Sequence, residues 1–337
     1  MRKRILITGI GGSIGCHVLA YIIAKTDWDV VGIDSFRHRG LCDRAARMLY
    51  HFPQHHNRIF TFTHDLRAPI SNMLMDKLGS IDYIINLASL SDVHDSDAHP
   101  VEFITSNVAI VLNMLEYARV VKPTTFIQMS TDEVYGPTDG TWGHVEWAPI
   151  VPSNPYSASK AAQEAIAISY WRSYDVPLII TNAMNNFGEM QSPAKFPSIV
   201  QRKVRRGEPI QIHVGGNGEI GSRWYIHSHN TADALLFLLH KIRPLLHVSG
   251  AVDRPVRYNI VGDKQVDNLT MAKMIASYIG LPLSYEFTQP RNGHDIHYGL
   301  DGLALKAAGW KSPLTLEESL QRTVDWYEKN PEWLEAR

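Results

Sequence analysis

Ile5-Leu6-Ile7-Thr8-Gly9-Ile10-Gly11-Gly12-Ser13-Ile14-Gly15 decides the fold of this 337-residue chain. A short β-branched run passes directly into spaced glycines, and Cys16 to Ala24 then reads as a helix. Gly9, Gly12 and Gly15 allow a tight turn, close backbone approach to a pyrophosphate and close helix–sheet packing. Ser13 and Ile14 bring their N–H groups to the helix start, where an anion is favoured. The next apolar run ends at Asp34, placed to accept hydrogen bonds from ribose hydroxyls and to repel a 2′-phosphate. That combination predicts a dinucleotide site and favours NAD over NADP, with Arg37 and Arg39 just downstream as the counter-signal.

Outward from this stretch the rhythm repeats. Val30–Ile33, Ile59–Phe62, Tyr83–Asn86, Phe126–Met129 and Leu178–Thr181 are further short apolar runs, and Pro100–Arg119 and Tyr156–Tyr174 carry apolar residues at helical spacing. Alternation of this kind predicts an α/β fold: a Rossmann-type, doubly wound parallel sheet with a smaller C-terminal substrate-binding lobe. Residues 1–181 are expected to form the NAD-binding domain with the Tyr/Lys helix. Residues 182–337, richer in turns, are expected to form mainly the substrate lobe, with some segments returning to the first domain. Strand ends are where ligands gather in such sheets, so Asp65 and Leu66 are candidates for the adenine, and Leu87, Ala88 and Ser89 for packing on the cofactor.

The 33 basic and 34 acidic residues leave a net charge of −1, so no global field draws the chain to nucleic acid or to an anionic membrane. No run reaches the roughly 20 apolar residues of a membrane span. The two cysteines, Cys16 and Cys42, suit a reducing compartment, and the N-terminus lacks the pattern of a signal peptide, so the expected location is the cytoplasm.

The chemistry is expected at Ser130-Thr131-Asp132-Glu133 and at Tyr156-Ser157-Ala158-Ser159-Lys160. A phenol and an ammonium four residues apart share one helix face, and Lys160 is expected to lower the pKa of Tyr156 until the phenolate serves as a base. Two adjacent carboxylates after a buried strand are costly to desolvate unless they work; the competing reading is a solvated helix cap. His55-His56, His227-x-His229 and His294-x-x-His297 lack a third ligand at metal spacing, so no metal is expected.

With the glycine turn, Asn86-Leu87-Ala88, Ser130 to Gly136, Pro155 to Lys160, Asn185-Asn186-Phe187-Gly188 and Arg291 to Asp295 in this order, the chain resembles nucleoside-diphosphate-glucose 4,6-dehydratases of the extended short-chain dehydrogenase/reductase family, those acting on dTDP-glucose most of all. The resemblance runs nearly the whole length. Its most specific part is Thr131-Asp132-Glu133, because related decarboxylases typically carry Ser in place of the Asp and the 4-epimerases lack the acid pair. It implies Tyr156, Lys160 and Thr131 for oxidation at C4, Glu133 and Asp132 for loss of water across C5 and C6, and contact of Tyr156 and Lys160 with NAD. It further implies Asn185, Arg223 and Arg291, with Thr131, on the nucleotide sugar, Lys195 as a weaker candidate, and a homodimer built on the two long helices.

Two segments depart from that pattern. A Glu-Ser-His-Val-Asp-Arg type segment is here Leu90-Ser91-Asp92-Val93-His94-Asp95, and an Arg-Asp pair with a later Asp is here Arg223-Trp224-Tyr225-Ile226-His227-Ser228-His229-Asn230. Both lie near the expected sugar and base sites. The rival readings are a 4-epimerase or a uronate decarboxylase on a similar sugar nucleotide and, in another class, a non-catalytic NAD-binding regulator.

Overall fold

The computed structural model describes residues 2–38, 40–216, 218–247, 252–289 and 296–335. Arg39 and residues 290–295, with Arg291 and His294, lie outside the described residues. Along the chain, β1 (Arg4–Thr8) leads into α1 (Ser13–Lys25), β2 (Asp29–Asp34), α2 (Leu41–His51), β3 (Ile59–Thr63), α3 (Asn72–Leu78) and β4 (Tyr83–Asn86). Then come α4 (Val93–Ala98), α5 (Pro100–Val121), β5 (Thr125–Thr131), α6 (Pro155–Tyr174) and β6 (Leu178–Ala183). The remainder runs β7 (Asn186–Phe187), α7 (Phe196–Arg206), β8 (Ile210–His213), β9 (Ser222–Arg223), β10 (Ile226–His227), α8 (Ser228–Lys241), β11 (Val256–Ile260), β12 (Val266–Asp267), α9 (Asn268–Ile279), β13 (Tyr285–Thr288), α10 (Leu303–Ala307) and α11 (Leu316–Lys329).

Seven strands form one sheet in the order β11-β6-β5-β4-β1-β2-β3, and every neighbouring pair is parallel. Strands buried on both faces favour apolar side chains at successive positions, which is why Ile5-Leu6-Ile7, Ile84-Ile85 and Leu178-Ile179-Ile180 read as continuous apolar runs rather than as alternating ones. One face is covered by a core that includes Cys16, Val18, Leu19 and Ile22 of α1 with Leu235 and Leu238 of α8; the other packs on Val111, Met114 and Leu115 of α5 with Ala167 and Trp171 of α6. The fold is a Rossmann-type doubly wound α/β sheet. The strand order reverses between β1 and β4, so the crevice for a ligand opens at their carboxyl ends.

The second half of the chain returns one strand to this sheet, β11, whose Val256 pairs with Ile179 and Ile260 with Ala183. Its other strands pair only two by two, β7 with β10, β9 with β12 and β8 with β13. A separate core, with Val200, Val204, Ile275, Leu320 and Val324, joins α7, α9 and α11.

Candidate active site

The glycine turn is built as its spacing requires. Gly9 has φ +66°, a conformation costly for other residues, and its N–H donates to Ile33 O at 2.8 Å. A Cβ on Gly15 would stand 2.2 Å from the Gly9 carbonyl oxygen, and one on Gly9 would press on Ala88 at 3.1 Å. Gly12 caps α1 without any side chain, so the N–H groups of Ser13, Ile14 and Gly15 at the first turn have no side-chain cap. Leu87 N and Ala88 N both donate to Thr8 Oγ1, which brings the β4 loop onto the turn. Ser89 lies next to it and its hydroxyl donates to Leu90 O.

Asp34 is buried and accepts from Gly11 N at 2.9 Å and Phe36 N at 3.1 Å, one bond to each oxygen, leaving lone pairs for a hydroxyl. The Asp65 carboxylate lies 2.9 Å from Arg67 and 3.2 Å from Arg37. Burial raises its pKa, but the Arg67 bonds and Arg37 outweigh it and hold the carboxyl below the usual range. Arg37, read as a possible phosphate holder, is thus paired with an acid. Leu66 is buried and offers its carbonyl to Asn113.

Thr131 ends β5, and Asp132–Tyr135 form a 3₁₀ turn that follows at once, capped by the Thr131 hydroxyl. Both acids are buried, Asp132 at 2% exposure and Glu133 at 9%, so the solvated-cap reading fails. Thr131 Oγ1 donates to Asp132 Oδ1 at 2.8 Å, and Asn154 Nδ2 donates to Glu133 Oε2 at 3.1 Å. Burial and the neighbouring Glu133 push the Asp132 carboxyl up to about 7. Asp132 Oδ2, Ser130 Oγ and Asn185 Oδ1 are buried without a hydrogen-bond partner among the described residues. Such groups are expensive unless something else satisfies them, which suits a polar ligand at this edge of the sheet.

Tyr156 and Lys160 lie in the first two turns of α6, beside that cluster. The expected lowering of the tyrosine pKa by the lysine is not what the geometry gives. Burial, Glu133 and Asp132 push the Tyr156 phenol well up, with only the Thr131 hydroxyl pulling the other way. Lys160 Nζ instead donates to Met129 O at 2.8 Å and Gln163 Oε1 at 2.6 Å, and burial draws it down to about 8.

Those lysine partners open a buried polar chain that sequence reading missed. Thr8 donates to Asn86, Asn86 to Gln128 and Gln128 to Gln163, while Gln163 also donates to Asn107 O and Asn107 to Ser159. The run links the strand of the glycine turn to Lys160. Its signal was present: Gln128 interrupts the apolar run Phe126–Met129, and Asn107 and Gln163 sit on buried faces of α5 and α6. Arg44 was missed as well; its buried guanidinium donates to Met190 O and Gly11 O.

Of the residues expected on the nucleotide sugar, Asn185 stands just beyond β6 with its Oδ1 unpartnered, as above. Arg223 is buried over the Tyr298 ring, 4.4 Å from its centre, and donates to the Ser222 and Ile296 carbonyls. It is close enough to Asp132 to favour the carboxylate form. Lys195 reaches Ser91 O at 3.3 Å and lies 3.8 Å from Asp92, so it bridges to the first departing segment. In the second, His227 belongs to a buried cluster: His17 and His227 lie 2.9 and 3.1 Å from one Glu189 oxygen, and Arg322 lies 2.5 Å from the other.

The glycine turn, the buried acid turn and the Tyr/Lys helix thus meet on one edge of a Rossmann-type sheet. Residues 5–260 match the NAD dependent epimerase/dehydratase family, and the chain belongs to it. It is 31% identical, over 98% of its length and 95% of the relative's, to a dTDP-glucose 4,6-dehydratase of Neisseria meningitidis. It is 33% identical to the trifunctional UDP-glucose 4,6-dehydratase/UDP-4-keto-6-deoxy-D-glucose 3,5-epimerase/UDP-4-keto-L-rhamnose-reductase RHM1 of Arabidopsis thaliana, of which it spans about half, 48%, with 98% of itself. Among solved structures, DesIV, a dTDP-glucose 4,6-dehydratase from Streptomyces venezuelae with NAD and TYD bound, superposes with a TM-score of 0.86 at 27% identity, over 98% of this chain and 99% of that one.

Proposed function

We propose that the chain is an NAD-dependent nucleotide-sugar 4,6-dehydratase, a hydro-lyase that converts a dTDP- or UDP-glucose-like substrate to the 4-keto-6-deoxy sugar. The observation that carries this reading is the buried Asp132-Glu133 turn lying against Tyr156 and Thr131, because two acids beside an alcohol-oxidising pair suit elimination. Gly9, Gly12, Ser13, Ile14, Gly15, Asp34, Leu87 and Ala88 hold the cofactor. The NAD held there would supply a hydride acceptor for C4 and a hydride donor for C6, so that none would be consumed.

Tyr156, with Thr131 and Lys160 beside it, takes the C4 hydroxyl proton as a phenolate; burial and the two acids oppose that form in the chain alone, and the positive charge that NAD brings when bound would offset them. The resulting ketone acidifies C5, and Glu133 takes the C5 proton. Asp132, pushed up to about 7 and so protonated in a large fraction of molecules near neutrality, gives its proton to the C6 hydroxyl, which leaves as water. Glu133 then returns a proton to C5. Asn185, Arg223 and Arg291 hold the nucleotide sugar from residues 182–337, the substrate lobe.

The reading extends to a cytoplasmic homodimer. Support comes from α5, which packs along α6 and leaves Val101, Ile104 and Leu112 exposed along its outer side. No helix among the described residues is long and apolar enough to cross a membrane.

Purified protein with NAD is to be offered dTDP-, UDP-, CDP- and GDP-hexoses, and products followed by mass spectrometry. Loss of one water from one member is expected. A C4 epimer of unchanged mass, loss of carbon dioxide from a uronate or no turnover would instead point to the epimerase, the decarboxylase or the binding protein. Tyr156→Phe is expected to lower turnover by at least about 100-fold with NAD binding intact.

A further inference from the structure

Asn154 stands at the N-cap of α6, and its amide serves two elements at once. Its Oδ1 accepts from Ser157 N at 2.8 Å, while the Ser157 hydroxyl accepts from Asn154 N at 3.1 Å, a complete capping box. Its Nδ2 donates to Glu133 Oε2 at 3.1 Å. The residue is buried at 8% exposure. The partners fix the orientation of the amide, since a helix N–H needs an acceptor and a carboxylate needs a donor.

Serine, threonine and aspartate cap a helix about as well as asparagine. Among these cap residues asparagine alone offers an amide N–H to a carboxylate while its carbonyl holds the helix, so the choice at residue 154 is explained by Glu133 and not by α6 alone. Because α6 also carries Tyr156 and Lys160, this side chain ties the acid turn directly to the helix that bears the phenol, while the Lys160–Met129 and Gln128–Gln163 bonds tie the same helix to β5.

We propose that Asn154 is a positioning residue for Glu133, holding the carboxylate where it meets the C5 proton after C4 has been oxidised. The inference rests on the dehydratase reading. Its mark is a split between two stages of one turnover: loosening Glu133 slows proton removal at C5 and leaves oxidation at C4 untouched.

Asn154→Asp keeps the cap but loses the donor and sets a second carboxylate against Glu133. Asn154→Ser keeps the cap and is too short to reach it. With holoenzyme and the accepted sugar nucleotide, single-turnover traces of reduced-nicotinamide absorbance, deuterium uptake at C5 from heavy water and melting temperatures are to be compared with the parent. In the aspartate variant the expected result is elimination slowed about 10- to 100-fold, with reduced nicotinamide accumulating, KM unchanged and the melting temperature lowered by the second buried carboxylate. The serine variant is expected to show the same split in milder form. Parent-like traces from both variants overturn the proposal, as does equal slowing of both stages together with a lowered melting temperature. A parent protein that turns over no sugar overturns the dehydratase reading and this inference with it.

Discussion

Asp132 divides its two oxygens between different surroundings, one taking the Thr131 hydroxyl and the other buried without a partner among the described residues. Its pKa, raised by burial and by Glu133 from 3.8 to about 7, sets a pH window. Between those values the folded chain keeps a proton that the unfolded chain has already released. Stability contributed by the protonated acid is therefore lost as pH rises through the window. Asp132→Asn is free of that loss. Its gain in melting temperature over the parent is expected to be small near pH 4, to grow towards pH 7 and to level off above, in a thermal unfolding series. A gain that does not vary with pH would mean that Asp132 is not held protonated. Residue types such as Thr131, Asp132, Glu133 and Tyr156 were legible because reactive groups beside an apolar run stand out. The Lys160 partners were not, because Met129 O is a backbone atom and Gln163 shows its use only once α6 is folded against β5.

At the scale of elements, legibility followed length. All six expected strands and both long helices are present, since each carries a run or a period of apolar residues long enough to stand out in the sequence. The two-residue strands β7, β9, β10 and β12 leave none, and their positions follow from tertiary pairing. The Glu189 cluster was hidden for the same reason, as it joins α1, β10 and α11 across long stretches of chain. Burial works against a charged His17 ring, yet Cys16 and Glu189 hold it up to about 10. Glu189 itself is depressed far below the carboxylate range, burial being outweighed by His17 and His227. Glu189→Gln leaves these groups without their anion and is expected to lower stability by about 3 kcal/mol, read from urea unfolding. A glutamine variant as stable as the parent would show that the three elements are held by packing alone.

For the whole molecule, the outer side of α5 decides assembly in the proposed dimer. Leu112→Glu, a charge on an exposed apolar position, is expected to shift the mass measured by light scattering from dimer to monomer with folding unharmed. An unchanged mass would place the contact elsewhere or make the parent a monomer. The order of the strands bears on how the chain comes into being. By the time residue 183 has been made, six of the seven strands exist, yet the outer edge of β6 has nothing to pair with until Val256–Ile260 emerges. Through that interval of synthesis the nascent protein exposes a bare, apolar strand edge, the kind of surface on which chaperones act and partly made chains stick together.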